Sequence, residues 1–187
     1  TVAFGWKGGI GTSSRVTPAG RVVGVLVQSN FGGSLVVDGV PVGRSLPDPA
    51  SLSGGVEARA VEKPVADGDG SIMVVVATDA PLDARQLERL AARAITGLAR
   101  TGSSMSNGSG DYVIAFSSAG TVRRHRGDAV HEVAMLDNGG MDDLFVAVAE
   151  ATEEAILNSL FKAEGMRGER GAVPALPVDR VLELLAQ

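Results

Sequence analysis

The sequence contains no cysteine, which excludes a disulfide framework, a thiolate metal site and a cysteine nucleophile. Aromatics are scarce: one Trp, one Tyr and five Phe in 187 residues, too few for a platform on which nucleic-acid bases stack. The formal net charge is only −5, the wrong sign for a sequence-independent hold on nucleic acid or an anionic membrane. No apolar run approaches the ~20 residues of a membrane-spanning helix, and no signal-peptide pattern opens the chain. Together these absences point to a soluble, cytoplasmic protein that binds neither nucleic acid nor membrane.

What is present is an ordinary globular composition, 44% apolar and 21% charged, in a chain long enough to bury about 70% of its unfolded surface. Glycine is the exception: 25 residues, about twice the usual share of ~7%. Such a chain turns sharply often, or lets other groups come close to its backbone. Thr1 leads straight into an apolar run with no initiator Met, so the sequence reads as a piece that begins in mid-fold.

Residues 1–43 read as strands: Val2 to Trp6, Arg21 to Val27, and Ser34 to Val42 around Asp38-Gly39, a type I′ hairpin signal. Lys7 to Arg15 between the first two reads as a glycine-rich polar loop. From Arg44 to Gly70 no period survives among repeated Pro and Gly, and a connection of that length is functional or mobile. Ser71 to Thr78 is a continuous apolar strand of the kind buried on both faces. Asp83 with Gln86 is a capping box for a helix with a Leu87, Leu90, Ala91, Ala94, Leu98 core stripe, stopped by Gly102. A Gly/Ser loop over 103–110, a strand from Tyr112 to Ser117 and a further strand from Val130 to Leu136 follow. A long helix from Met141 to Ala163 carries Asp142 and Asp143 in its first turn, and a short one covers Val178 to Ala186. This is a layered α/β protein.

Ser71 is the leading candidate nucleophile. It follows Gly70 at the end of the long loop and opens the apolar strand, so its hydroxyl is well placed to attack the Gly70 carbonyl in an N→O acyl shift. Cleavage there leaves an α-amine, pKa about 7.7–8.0 when unperturbed, as general base for its own hydroxyl. The alternative is a serine that merely caps a strand. Ser109 and Asp111 stand two apart among glycines and form either a relay pair or a turn. Asn30, at a strand end before Phe31-Gly32-Gly33, is an oxyanion-hole amide or a turn residue. Thr1 is a further candidate nucleophile. His125 and His131, the only histidines, lie in a charged segment and make a poor Ser–His–Asp triad or zinc site. The glycines at 8, 9 and 11 fail the dinucleotide pattern.

The blocks Trp6 to Arg15, Gln28-Ser29-Asn30-Phe31-Gly32, Gly70 to Leu82, Gly97 to Gly102 and Ser109-Gly110-Asp111 together resemble the L-aminopeptidase D-amidase/esterase and β-peptidyl aminopeptidase family. The resemblance runs over nearly the whole chain in order. It implies an αββα four-layer sandwich resembling N-terminal-nucleophile hydrolases with different connectivity. It implies one structural domain, cut between Gly70 and Ser71, with residues 1–70 ending an α chain and 71–187 forming a β chain. Ser71 is then the nucleophile toward small peptides, amides or esters, Ser109 the second catalytic serine, and Asn30 the oxyanion donor. Asp111 stands where β-amino-acid-specific relatives look to have Glu. No cofactor or metal is implied. The resemblance also implies an upstream α-chain segment that holds the substrate's amino end, and a homo-oligomer of αβ units. An acyltransferase of the ornithine acetyltransferase type, or a non-catalytic scaffold subunit, are the rival readings.

Overall fold

The computed structural model describes residues 1–52, 70–124, 126–127, 130, 132–168 and 171–187. The centre is a four-stranded mixed sheet in the order β3-β4-β5-β6, built from β3 (Ile10–Val16), β4 (Val22–Gln28), β5 (Met73–Thr78) and β6 (Tyr112–Ser117). Two small hairpins flank it: β1 (Val2–Ala3) with β2 (Trp6–Lys7), and β7 (Met166–Gly168) with β8 (Gly171–Val173). The helices are α1 (Ala84–Arg100), α2 (Asp142–Phe161) and α3 (Val178–Leu185).

Strands β3 and β4 form an antiparallel hairpin, from Ile10 opposite Gln28 to Val16 opposite Val22. Strand β4 pairs antiparallel with β5, and β5 pairs parallel with β6 through the α1 crossover that a parallel pair requires. The start of β3, the end of β4 and the starts of β5 and β6 therefore meet at one end of the sheet.

One sheet face carries Val23, Val25, Val27, Val74 and Val76, all buried. Against it pack Leu90, Ala94 and Leu98 of α1 and Leu144, Val148, Ala151, Ala155 and Ile156 of α2. The capping box at Asp83 is formed: the Gln86 N–H donates to Asp83 Oδ1 at 2.7 Å and the Asp83 N–H to Gln86 Oε1 at 3.1 Å. Gly102, just past the helix, takes φ +92°, the left-handed conformation a helix stop favours. A second cluster (Trp6, Leu35, Val42, Leu160, Leu176, Val181) joins the β1–β2 hairpin to α3.

Helix α2 lies very close to the sheet, and a glycine permits it. A Cβ on Gly11 would stand 1.9 Å from the Ala155 carbonyl oxygen and 2.7 Å from the Ser159 nitrogen. Both are backbone atoms that cannot rotate away. Beside this crossing, Arg15 bridges Glu150 at 3.1 Å and Glu154 at 2.5 Å. The Glu154 carboxyl is held below its ordinary range by the Ser13 hydroxyl and then by Arg15. Overpacking usually costs about 1–3 kcal/mol, and Gly11→Ala is expected at the top of that range. A urea titration should show a lower midpoint with an unchanged slope. Gly120→Ala, into open space, should leave the midpoint near that of the parent.

Among the described residues nothing covers the opposite sheet face. Ile10, Leu26, Met73, Tyr112, Ile114 and Phe116 all point to it, with Tyr112 and Ile114 62% and 60% exposed. The expectation that the Ser71–Thr78 strand is buried on both faces is thus met on one face only, because among the described residues only one helical layer covers the sheet.

Four other expectations are corrected. Ile10 to Arg15 is not loop but most of β3; Gly11 serves close helix approach rather than a turn. Val2 to Trp6 is broken by Phe4 (φ 54°) and Gly5 (φ 83°) into two-residue strands. Asp38 (φ 49°) and Gly39 (φ 75°) make the anticipated left-handed turn, yet only one bridge, Val37 to Val40, flanks it. Residues 34–36 instead bond to the end of α1, with the Val36 N–H donating to the Thr101 carbonyl at 2.9 Å. No strand forms in the described part of 130–136; that segment is held by Leu136, whose N–H donates to the Pro81 carbonyl at 2.8 Å. Most of the long 44–70 connection, His125 and His131 lie outside the described residues.

Candidate active site

At the sheet end where four strand termini meet, a cavity of about 350 Å³ is lined by Thr1, Gln28, Asn30, Ser71 and Met73. It opens beside the bare face, to which Met73 also belongs.

Asn30 is placed by the backbone around it. Ser29, one residue earlier, is fully buried; its hydroxyl oxygen accepts from the Gly9 N–H at 3.2 Å and from the Ser159 hydroxyl at 2.7 Å. This fastens the end of β4 to both the glycine loop and α2. On the other side the Phe4 N–H donates to the Phe31 carbonyl at 2.9 Å, and the two rings meet edge to face at 5.0 Å. The Asn30 side-chain oxygen accepts from the Val2 N–H at 3.1 Å. With its oxygen so engaged, the amide NH2 is left as the donor end, and an asparagine fixed in this way suits an oxyanion.

Gly70 and Ser71 sit directly across from Asn30. The Ser71 N–H donates to the Asn30 backbone carbonyl. Gly70 is buried, and a Cβ there would lie 2.5 Å from Phe31 Cα and 2.8 Å from the Asn30 carbonyl oxygen, so no other residue fits without moving the junction. The half-buried Ser71 presents its hydroxyl oxygen to the Gly110 N–H at 3.3 Å.

Gly110 links Ser71 to the third expected element. On either side of it, the Ser109 hydroxyl donates to Asp111 Oδ1 at 2.8 Å. The Ser109 N–H donates to the Ser106 carbonyl at 2.8 Å, a tight turn that presents Gly110 to Ser71. A Cβ on Gly110 would stand 3.2 Å from Ser71 Oγ.

The structure thus brings Gly70, Ser71 and Asn30 together at one cavity, with the Ser109–Asp111 pair joined to it through Gly110. Thr1 lines the same cavity. Gln28, Met73 and the Gly110 N–H were not anticipated. Gln28 and Met73 could have been found from the pairing register, which sets them opposite each other beside the site; a backbone N–H leaves no mark in a sequence. Among the described residues no group of three His, Cys, Asp or Glu side chains could share a metal ion.

Comparison with known proteins shows the family and the fold. The model of Peptidase family S58 matches residues 1–173. The beta-peptidyl aminopeptidase BapA of Sphingosinicella microcystinivorans is 46% identical over 175 residues, covering 90% of this chain and 44% of that protein. Its namesake from Sphingosinicella xenopeptidilytica is 37% identical, covering 98% and 48%. Among solved structures, the L-aminopeptidase D-Ala-esterase/amidase from Ochrobactrum anthropi superposes with a TM-score of 0.84 at 37% identity, covering all of this chain and 50% of that one. That protein is described as a prototype for the serine aminopeptidases and a new variant among the Ntn hydrolase fold. The chain therefore spans about half the length of the curated relatives it matches, and over that span it has the fold of the Ochrobactrum enzyme, as the expected N-terminal-nucleophile-like architecture requires.

Proposed function

This chain belongs to peptidase family S58, and from that premise we propose that it carries the nucleophile of a self-processing serine aminopeptidase. Ser71 becomes an N-terminal residue by cleavage at Gly70–Ser71. Its hydroxyl then attacks the carbonyl of a small peptide, amide or ester at the amino end, and its own α-amine takes the proton. The Asn30 amide stabilises the oxyanion, and water hydrolyses the acyl-enzyme. The Ser109–Asp111 pair borders the nucleophile and orders the turn that holds it.

The observation that carries this reading is the junction itself. A Gly–Ser peptide is seated at the wall of a cavity, with the serine hydroxyl turned toward a donor and an asparagine amide across from it. A strand-capping serine needs none of this. The bare sheet face supports the wider architecture: the remainder of a protein twice this length would lay the second sheet of an αββα sandwich on Leu26, Met73, Tyr112 and Ile114, and in doing so close the cavity.

Intact-mass measurement of the full-length protein tests the proposal. Two chains are expected, the smaller beginning at Ser71, and the cut sample should release the chromophore from aminoacyl anilides. A single uncut chain that hydrolyses such anilides overturns it.

A further inference from the structure

The Gly110 N–H has two acceptors. It lies 3.3 Å from Ser71 Oγ and 3.2 Å from the carbonyl oxygen of Gly70. The Gly70 oxygen belongs to the bond that self-processing would break, and on the other side of that bond the Ser71 N–H is held by the Asn30 carbonyl. The junction is gripped at both of its polar backbone atoms, and the Asn30 carbonyl comes so near because Gly70 lacks a Cβ.

We infer that the Gly110 N–H is the oxyanion donor of the self-cleavage step, separate from the Asn30 amide that serves substrate turnover. This rests on cleavage at Gly70–Ser71 as proposed above and says which group drives it. As Ser71 Oγ adds to the Gly70 carbonyl carbon, a C–O bond forms and the carbonyl π pair moves to the oxygen already facing Gly110. The hydroxyl proton goes to the Ser71 nitrogen as the C–N bond breaks and the carbonyl re-forms, leaving an ester between Gly70 and Ser71 Oγ. Water hydrolyses the ester to the Gly70 carboxylic acid and a free Ser71 hydroxyl.

The charge that develops in this sequence sits on the Gly70 oxygen, so a donor aimed at it before reaction needs no reorganisation. The Asn30 side chain instead lines the cavity, where an incoming carbonyl would lie. When the Gly70 carboxylate has departed, Gly110 keeps Ser71 Oγ as its remaining acceptor and steadies the new nucleophile. The turn made by Ser106 and Ser109 is what aims this N–H, which gives the Gly/Ser loop before β6 a chemical task.

The test removes the hydrogen-bond donor at residue 110, while the weaker carbonyl acceptor that an ester brings is shared by its control. In the full-length protein, made by cell-free translation, Gly110 is replaced by glycolate so that the Ser109–Gly110 amide becomes an ester. The same exchange at Gly108, an exposed position, serves as control, and appearance of the cut chain is followed by mass. Cleavage about 100- to 1,000-fold slower than in the Gly108 ester is expected. Cleavage at the control rate overturns the inference while leaving self-processing intact, and a parent protein that never cuts removes both. A second measurement does not depend on cutting. In Ser71→Ala protein, the isotope-edited infrared band of the Gly70 carbonyl should move to higher frequency when Gly110 becomes glycolate. An unmoved band refutes the hydrogen bond on which the inference stands.

Discussion

Ser71→Ala is expected to leave the full-length protein as one uncut chain without measurable hydrolysis of aminoacyl anilides. In the proposed mechanism the hydroxyl removed acts twice, once on Gly70 and once on substrate, so no residual route remains through either step. Loss of a serine nucleophile elsewhere lowers kcat by about 10⁶-fold, and here the free amine would be missing as well. Folding should be unaffected, since the Ser71 hydroxyl has one acceptor contact, to the Gly110 N–H, and the backbone bond to Asn30 persists. Ser71→Cys, which restores a nucleophile, should recover cutting. A Ser71→Ala protein that splits between 70 and 71, or that turns over substrate, eliminates the mechanism.

Asn30→Asp should separate the two steps from each other. The substitution preserves shape and keeps an oxygen to accept from the Val2 N–H, so the end of β4 should stay in place. It exchanges the amide donor for an anion at the point where negative charge is to develop. A missing oxyanion donor costs about 2.7–4 kcal/mol, or about 100- to 1,000-fold in kcat, and the added repulsion can only increase that. The junction proposed to be cut is held by the Asn30 backbone carbonyl rather than by its side chain, so the protein should still yield a chain starting at Ser71. Steady-state kinetics on the cut material should show the loss in kcat, with KM little changed. Retention of parental kcat takes Asn30 out of the oxyanion role.

Much of the fold around this candidate site was legible because its parts obey local rules. Asp83 and Gln86 announce a capping box whatever surrounds them, and both bonds form. The bounds of β6 follow from its flanking glycine and apolar run. Ser71 stood out because a glycine-serine pair lay between a patternless stretch and a buried strand. What escaped was set at a distance. Strand β3 looks like loop because Gly11, Thr12, Ser13 and Ser14 are poor in apolar character; it is a strand because β4 and α2 need it there, and Gly11 answers to the Ala155 carbonyl. Val130 to Leu136 has strand-like residues, yet its described part forms no strand and Leu136 bonds to the Pro81 carbonyl instead. The donor at Gly110 belongs to the main chain, and only coordinates reveal it.

The uncovered side of the sheet bears on how such a protein comes into being. A surface with Leu26, Met73, Tyr112, Ile114 and Phe116 side by side is a liability in water, because contiguous apolar patches favour association. A protein made of these residues alone is thus expected to pair or aggregate through that face. A longer chain translated in one piece and cut, as proposed, only after it has folded would not face that hazard, which gives late self-cleavage a use quite apart from unmasking an amine.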